Sequence, residues 1–159
     1  MISTPTTPDV RLEHEGGHRF RASFATGAPD LVTDEPPPLG MAAGPDPASL
    51  LATAVGNCLA SSFLFCVRKA RIEPLSLGVE VRLKRERNEE GRMRIAGIDV
   101  LLAPRLTDAD AARLRRCAEL FESFCVVAES VRRGIPMDVR LVPAVVGLDP
   151  AERAYSAAD

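Results

Sequence analysis

Four cysteines are the residues of this chain best suited to chemistry: Cys58, Cys66, Cys117 and Cys125. Cys58 and Cys66 are eight residues apart, and so are Cys117 and Cys125. If each of these pairs lies on one helix, its sulfurs stand ~12 Å apart along the axis, at ~1.5 Å rise per residue. Neither pair can then close a disulfide within itself or hold one zinc ion. There is no Cys-x-x-Cys, and the two histidines, His14 and His18, sit together far upstream. Neither a metal site nor a cofactor is expected.

A free cysteine is also among the most buried residue types and packs as a small hydrophobe. That reading is assigned to Cys66, within Phe63-Leu64-Phe65-Cys66-Val67, and to Cys117, which neighbours a core stripe. Cys58 differs, because it follows Asn57 and borders a polar stripe. Cys125 lies on the core face of the second helix, so one thiol from each helix can meet. Such a pair is a redox device if one thiol is ionised. Burial alone raises a thiol pKa, so ionisation needs help from a cation. Cys58 lies about three turns from its own helix N-terminus, beyond the reach of that end's dipole. An arginine is the expected supplier. Arg19 and Arg21, on the non-core face of the first hairpin, are the candidates, although their spacing equally fits an ordinary solvated strand face.

The elements that must position these groups show as patterns. Val10 and Leu12 alternate with polar residues, Gly16-Gly17 follows, and Phe20, Ala22 and Phe24 then share one face. This predicts a hairpin with a glycine turn. Residues 25–46 hold five prolines and form a long loop with a short strand near Leu31-Val32-Thr33; loops of this length are often functional. Asp46-Pro47 is an N-cap followed by proline at the first helical position, opening a helix that runs to about Lys69. Leu77, Val79, Val81 and Leu83 alternate as a strand, and Asn88 to Gly91 turn it. The return strand has Met93 and Ile95 on odd positions, then Ile98, Val100 and Leu102 on even ones, so a bulge is predicted at Ala96-Gly97. Thr107 opens a second helix that ends at Arg132-Arg133 and Gly134, with Leu114, Ala118, Phe121, Cys125 and Ala128 on one face. Met137, Val139 and Leu141 form a last strand. The sum is α+β: a largely antiparallel sheet with two long helices, in a single domain over 9–143 between a tail (1–8) and an extension (144–159).

Composition narrows the function. Net charge is −2 and aromatic content 4%, so a nucleic-acid partner is not expected. Ala48 to Val67 carries no charge over 20 residues, the length of a membrane span. However, Ser49, Thr53, Asn57 and Ser61 recur every fourth residue as a polar stripe. A helix buried in a core or a subunit interface is expected instead, with no membrane partner. The start, MISTPTTPDV, shows neither a basic nor an apolar leader region, so a reducing, cytoplasmic setting is expected.

Three segments, LVTDEPPPLG, GPDPASLLATAVGNCLASSF and FCVVAESVRRGIPMDVRLV, together resemble the OsmC/Ohr family (osmotically inducible protein C and organic hydroperoxide resistance proteins) over roughly residues 8–142. The resemblance implies an α+β, intertwined homodimer that reduces organic hydroperoxides and other peroxides with two cysteines. By motif, Cys58 would be the peroxidatic thiol and Cys125 the resolving one, with an external dithiol, such as a lipoylated protein, as reductant. The sequence departs from the family at the charges. Ala48 stands where the peroxide-reducing members carry glutamate, in Asp46-Pro47-Ala48, and the PPPLG loop has no arginine. Arg19 is the nearest equivalent of the Ohr arginine. The family implication is therefore a two-cysteine peroxidase; the alternative is a non-catalytic or redox-sensing member without sustained turnover. A small interaction protein with packed thiols is a third reading.

Overall fold

Turn glycines and alternation build the first sheet. Strands β1 (Val10–Gly16) and β2 (Arg19–Phe24) pair antiparallel around Gly16 and Gly17, whose φ values of 115° and 56° suit glycine. β3 (Leu31–Thr33) adds antiparallel to β2. The computed structural model describes residues 7–111 and 113–141. Residues 1–6 of the expected tail and the expected extension 144–159 lie outside them.

The proline-rich loop after β3 is pinned by one buried carboxylate. Asp34 Oδ2 accepts from Met41 N–H (2.9 Å) and Ala43 N–H (3.1 Å). These bonds, that of Ala43 foremost, hold the Asp34 carboxyl below its ordinary value of 3.8. The loop delivers the chain to α1 (Pro47–Lys69), where Asp46 caps the helix by accepting from Ser49 N–H at 2.6 Å. The polar stripe Ser49, Thr53, Asn57 and Ser61 is the exposed side of α1, and Val55, Leu59, Ser62, Phe63 and Val67 are the covered side. By length and composition α1 could cross a membrane, but its apolar side is occupied by its own chain.

β4 (Ser76–Arg87) and β5 (Met93–Arg105) form a long antiparallel hairpin. Lys84 pairs with Gly97 and Arg85 with Ile95, so Ala96 is the extra residue of a bulge at the place where the sequence changes phase. α1 packs on β4. A Cβ at Gly56 would stand 2.6 Å from Val81 Cγ2, so glycine permits this approach.

The second helix is not continuous. It is split into α2 (Asp108–Ala111), α3 (Arg115–Leu120), a 3₁₀ turn (Phe121–Phe124) and α4 (Val126–Arg133). At the second break Cys125 is extended, with φ −81° and ψ 102°. The Ser123 hydroxyl takes the Leu120 carbonyl (2.7 Å), and Val126-Val127 is a stiff β-branched pair. The apolar periodicity that predicted one long helix runs through the break without marking it, because Phe121, Cys125 and Ala128 still meet the core. The predicted last strand also does not form: Met137, Val139 and Leu141 lie outside any strand and are 87%, 86% and 80% exposed, with no strand among the described residues paired to them.

Two apolar clusters hold α1 against the second helical segment. One contains Val55, Leu59, Cys125 and Ala128, and the other Phe63, Val67, Ile72 and Cys117; Leu102 and Phe121 touch both. Phe63 and Phe121 meet edge to face at 5.7 Å. The first sheet makes no extensive contact with α1 or the second sheet among the described residues. The architecture is α+β with antiparallel sheets, as the sequence predicts.

Gly56→Ala provides a direct test of the packing of α1 on β4. Helix propensity alone would favour alanine by about 1 kcal/mol. The close contact with Val81 instead predicts a loss of about 1–3 kcal/mol by urea unfolding, the range for overpacking. Adding Val81→Ala is expected to recover much of the loss. A plain gain for Gly56→Ala would refute the close approach.

Candidate active site

The two helical segments cross antiparallel, and the equal spacing of their cysteines brings the thiols together in two pairs. Cys58 packs on the cluster that contains Cys125, and Cys66 meets Cys117 one cluster further along α1. Cys125 is buried with no exposed surface, while Cys58 is half-buried.

Cys125 has a second role as the N-cap of α4. Its sulfur accepts from Ala128 N–H at 3.4 Å, as a serine oxygen would at the start of a helix. The chain break therefore opens a helix N-terminus directly beside Cys58. Burial pushes the Cys58 thiol up. The Cys125 thiol, followed by the backbone N–H groups of Val127, Val126 and Ala128, pulls it down by more, and the result lies below the ordinary 9.0. The well-aligned sulfur bond at this terminus is the one from Ala128 to Cys125, so the N–H groups act on Cys58 mainly as oriented dipoles. Cys125 moves the other way. Its burial and its bond to Cys58 raise it, against smaller lowering by Ala128 N–H and Ser62. The two thiols titrate as a coupled pair in which Cys58 ionises first and Cys125 keeps its proton.

Neither arginine reaches this pair within the chain. Arg21 Nε binds Glu15 Oε1 at 2.6 Å and Arg19 Nε lies 3.3 Å from Glu15 Oε2, both on the first sheet. The groups that bear on Cys58 are burial, Cys125 and backbone amides. At Ala48 the carboxylate expected of the family is absent, and nearby Asp46 is engaged as the helix cap and lies 3.9 Å from Arg85.

Two contributors were missed in the sequence. Ser62 is buried one turn beyond Cys58 on the covered side of α1 and interacts with Cys125. Its i+4 spacing from Cys58 was a readable signal. The α4 N-terminus was hidden because the break before it carries no proline or glycine. Val55, Leu59 and Ala128 of the same cluster also line a largely apolar cavity of about 590 Å³, walled further by Leu51, Val100 and Phe121, with the charged Glu122 and Arg132 also in its wall.

A family model for OsmC-like proteins matches residues 40–140, which include the end of the loop, both helical segments and all four cysteines. The chain belongs to the OsmC-like protein family. No curated protein matches the chain. Among solved structures, the OsmC-like protein of Mycoplasma pneumoniae is 13% identical and covers 81% of this chain and 89% of its own, with a TM-score of 0.67. The organic hydroperoxide resistance protein of Elizabethkingia anophelis is 18% identical, covering 82% and 91%, with a TM-score of 0.59. OhrB of Bacillus subtilis, an organic hydroperoxide resistance protein, is 20% identical, covering 77% and 90%, with a TM-score of 0.54. At these identities the likeness is one of fold.

In this OsmC-like protein the alkylation rate of each cysteine against pH separates the thiols, because the thiolate is the species that reacts. Cys58 is expected to inflect below 9.0. Cys117, which burial and Cys66 push up to about 11, is expected to react last. Cys125→Ala removes a hydrogen-bond donor and is expected to move the Cys58 inflection upward. An unchanged inflection would show that Cys125 does not support the thiolate.

Proposed function

We propose that the protein is a cytoplasmic thiol-dependent peroxidase that reduces organic hydroperoxides through Cys58 and Cys125. The observation that carries this reading is the placement of Cys58 beside Cys125 at the α4 N-terminus, where burial is overcome and the thiol is biased toward its anion.

The cycle follows from that asymmetry. The Cys58 thiolate attacks the outer peroxide oxygen; the O–O bond breaks, the alkoxide leaves and takes a proton from solvent to become the alcohol, and Cys58 becomes a sulfenic acid. Cys125 then gives its proton to the departing hydroxyl, and a Cys58–Cys125 disulfide forms with release of water. An external dithiol, for which a lipoylated protein is a suitable class, reduces the disulfide by exchange. The cavity that shares Val55, Leu59 and Ala128 with the thiol cluster offers apolar room for the alkyl group.

A homodimer belongs to this reading. The first sheet has little of its own chain to rest on, and Leu12, Met137, Val139 and Leu141 are apolar and exposed. Docking the first sheet on a second copy is also the arrangement that would carry Arg19 or Arg21 to a thiol pair.

One observation favours a second reading, a redox-responsive protein without turnover: Ala48 replaces the carboxylate, and neither Arg19 nor Arg21 acts on Cys58 in the chain. Peroxide consumption separates the two. With cumene hydroperoxide and dihydrolipoamide, the wild type is expected to turn over many times, Cys58→Ser to lose all activity, and Cys125→Ser to stop after one oxidation. A wild type that forms the Cys58–Cys125 disulfide once and consumes no further peroxide would replace the first reading with the second.

A further inference from the structure

Cys66 and Cys117, expected to be packing residues, are also a pair. The Cys66 and Cys117 Sγ atoms lie 2.7 Å apart, closer than two unbonded sulfurs pack, between the last turns of α1 and the middle of α3. That separation approaches the ~2.05 Å of a covalent S–S bond, so closing it needs little rearrangement. The pair stands apart from the first. Cys66 is eight residues beyond Cys58 on α1, ~12 Å along the axis.

The surroundings differ from those of Cys58. Both sulfur-bearing residues line a cavity of about 450 Å³, with Phe65, Phe124, Lys69 and Arg116 in its wall. None of its described lining residues is acidic. The Lys69 ammonium rests over the Phe65 ring at 4.5 Å from its centre, and Arg116 stands close enough to favour a Cys117 anion. Arg113, also in the wall, donates to the Ala70 carbonyl and lies 3.6 Å from Asp110. Cys66 is half-buried and Cys117 buried. An incoming molecule therefore meets Cys66 first, in a cleft with apolar and positively charged walls.

We propose that Cys66 and Cys117 are a second dithiol–disulfide couple, oxidised by small anionic disulfides that this cationic cleft admits. The Cys66 thiolate attacks one sulfur of R–S–S–R; the Cys66–S bond forms, the R–S–S–R bond breaks, and one R–S⁻ leaves. Cys117 then loses its proton to solvent and attacks the Cys66 sulfur, and the second R–S⁻ leaves. Two protein thiols are oxidised by two electrons, and one external disulfide is reduced to two thiols. The product is a covalent link between α1 and α3. It does not depend on peroxide chemistry at Cys58.

The test uses the full chain with Cys58→Ser and Cys125→Ser, treated with oxidised glutathione (anionic), bis(2-hydroxyethyl) disulfide (neutral) or cystamine (cationic). Each rate is normalised to that with a free thiol. Mapping of unreduced peptides is expected to show a Cys66–Cys117 link, formed fastest with the anionic disulfide. Arg116→Gln is expected to cut the anionic advantage by roughly threefold or more, and added salt to reduce it. The same linked peptide is expected in the wild-type chain, a control for folding of the double variant. Absence of the link in both chains, or equal normalised rates for all three disulfides, would overturn the proposal.

Discussion

The structure depends on the contest at Cys58 between burial on one side and, on the other, the Cys125 thiol followed by the oriented amides of α4. Burial by itself would leave a neutral, inert sulfur. What reverses it is a break in the opposite helical segment. By turning extended at Cys125, the chain starts a new helix whose first N–H groups meet the thiol, and the residue that caps this helix is the partner thiol. One backbone feature thus supplies both the bias toward an anion and the second sulfur. A continuous helix through 107–133 would have used the same N–H groups in its own hydrogen bonds, leaving none for Cys58.

Registry does the rest. α1 and the segment 115–133 run antiparallel, so a spacing of eight on each brings 58 to 125 and 66 to 117. Gly56 sets how deeply α1 lies on β4, and the edge-to-face contact of Phe63 and Phe121 joins the two clusters between the thiol pairs. The pairs share a scaffold and differ in surroundings. The first sits at the α4 amides, in a cluster whose Val55, Leu59 and Ala128 line a cavity; the second itself lines a cleft edged by cations.

Much of this was legible in the residues. The Asp46-Pro47 start of α1, the glycine turn of the first hairpin and the bulge at Ala96 follow from local chemistry and phase. The resemblance points to Cys58 and Cys125 as a pair, and the two pack in one cluster. The break at Cys125 was not legible, because Leu114, Ala118, Phe121, Cys125 and Ala128 keep a helical period through it. Nothing in the residue types announces it: the break holds neither proline nor glycine, and its extended residue is Cys125 itself. The Cys66–Cys117 pair was passed over for a different reason. Each thiol by itself fits packing, and only the antiparallel crossing shows that the equal spacings are one fact. Alternation at Met137, Val139 and Leu141 predicted a strand, but a strand needs a neighbour to pair with.

The most direct measurement is the ultraviolet thiolate absorbance of the reduced protein carrying Cys66→Ser and Cys117→Ser, followed as pH rises. Two separated steps are expected: one thiolate appearing below 9.0, the ordinary thiol value, and a second above it. A protein with no thiolate until 9.0 or beyond, or with both sulfurs ionising together, would contradict it.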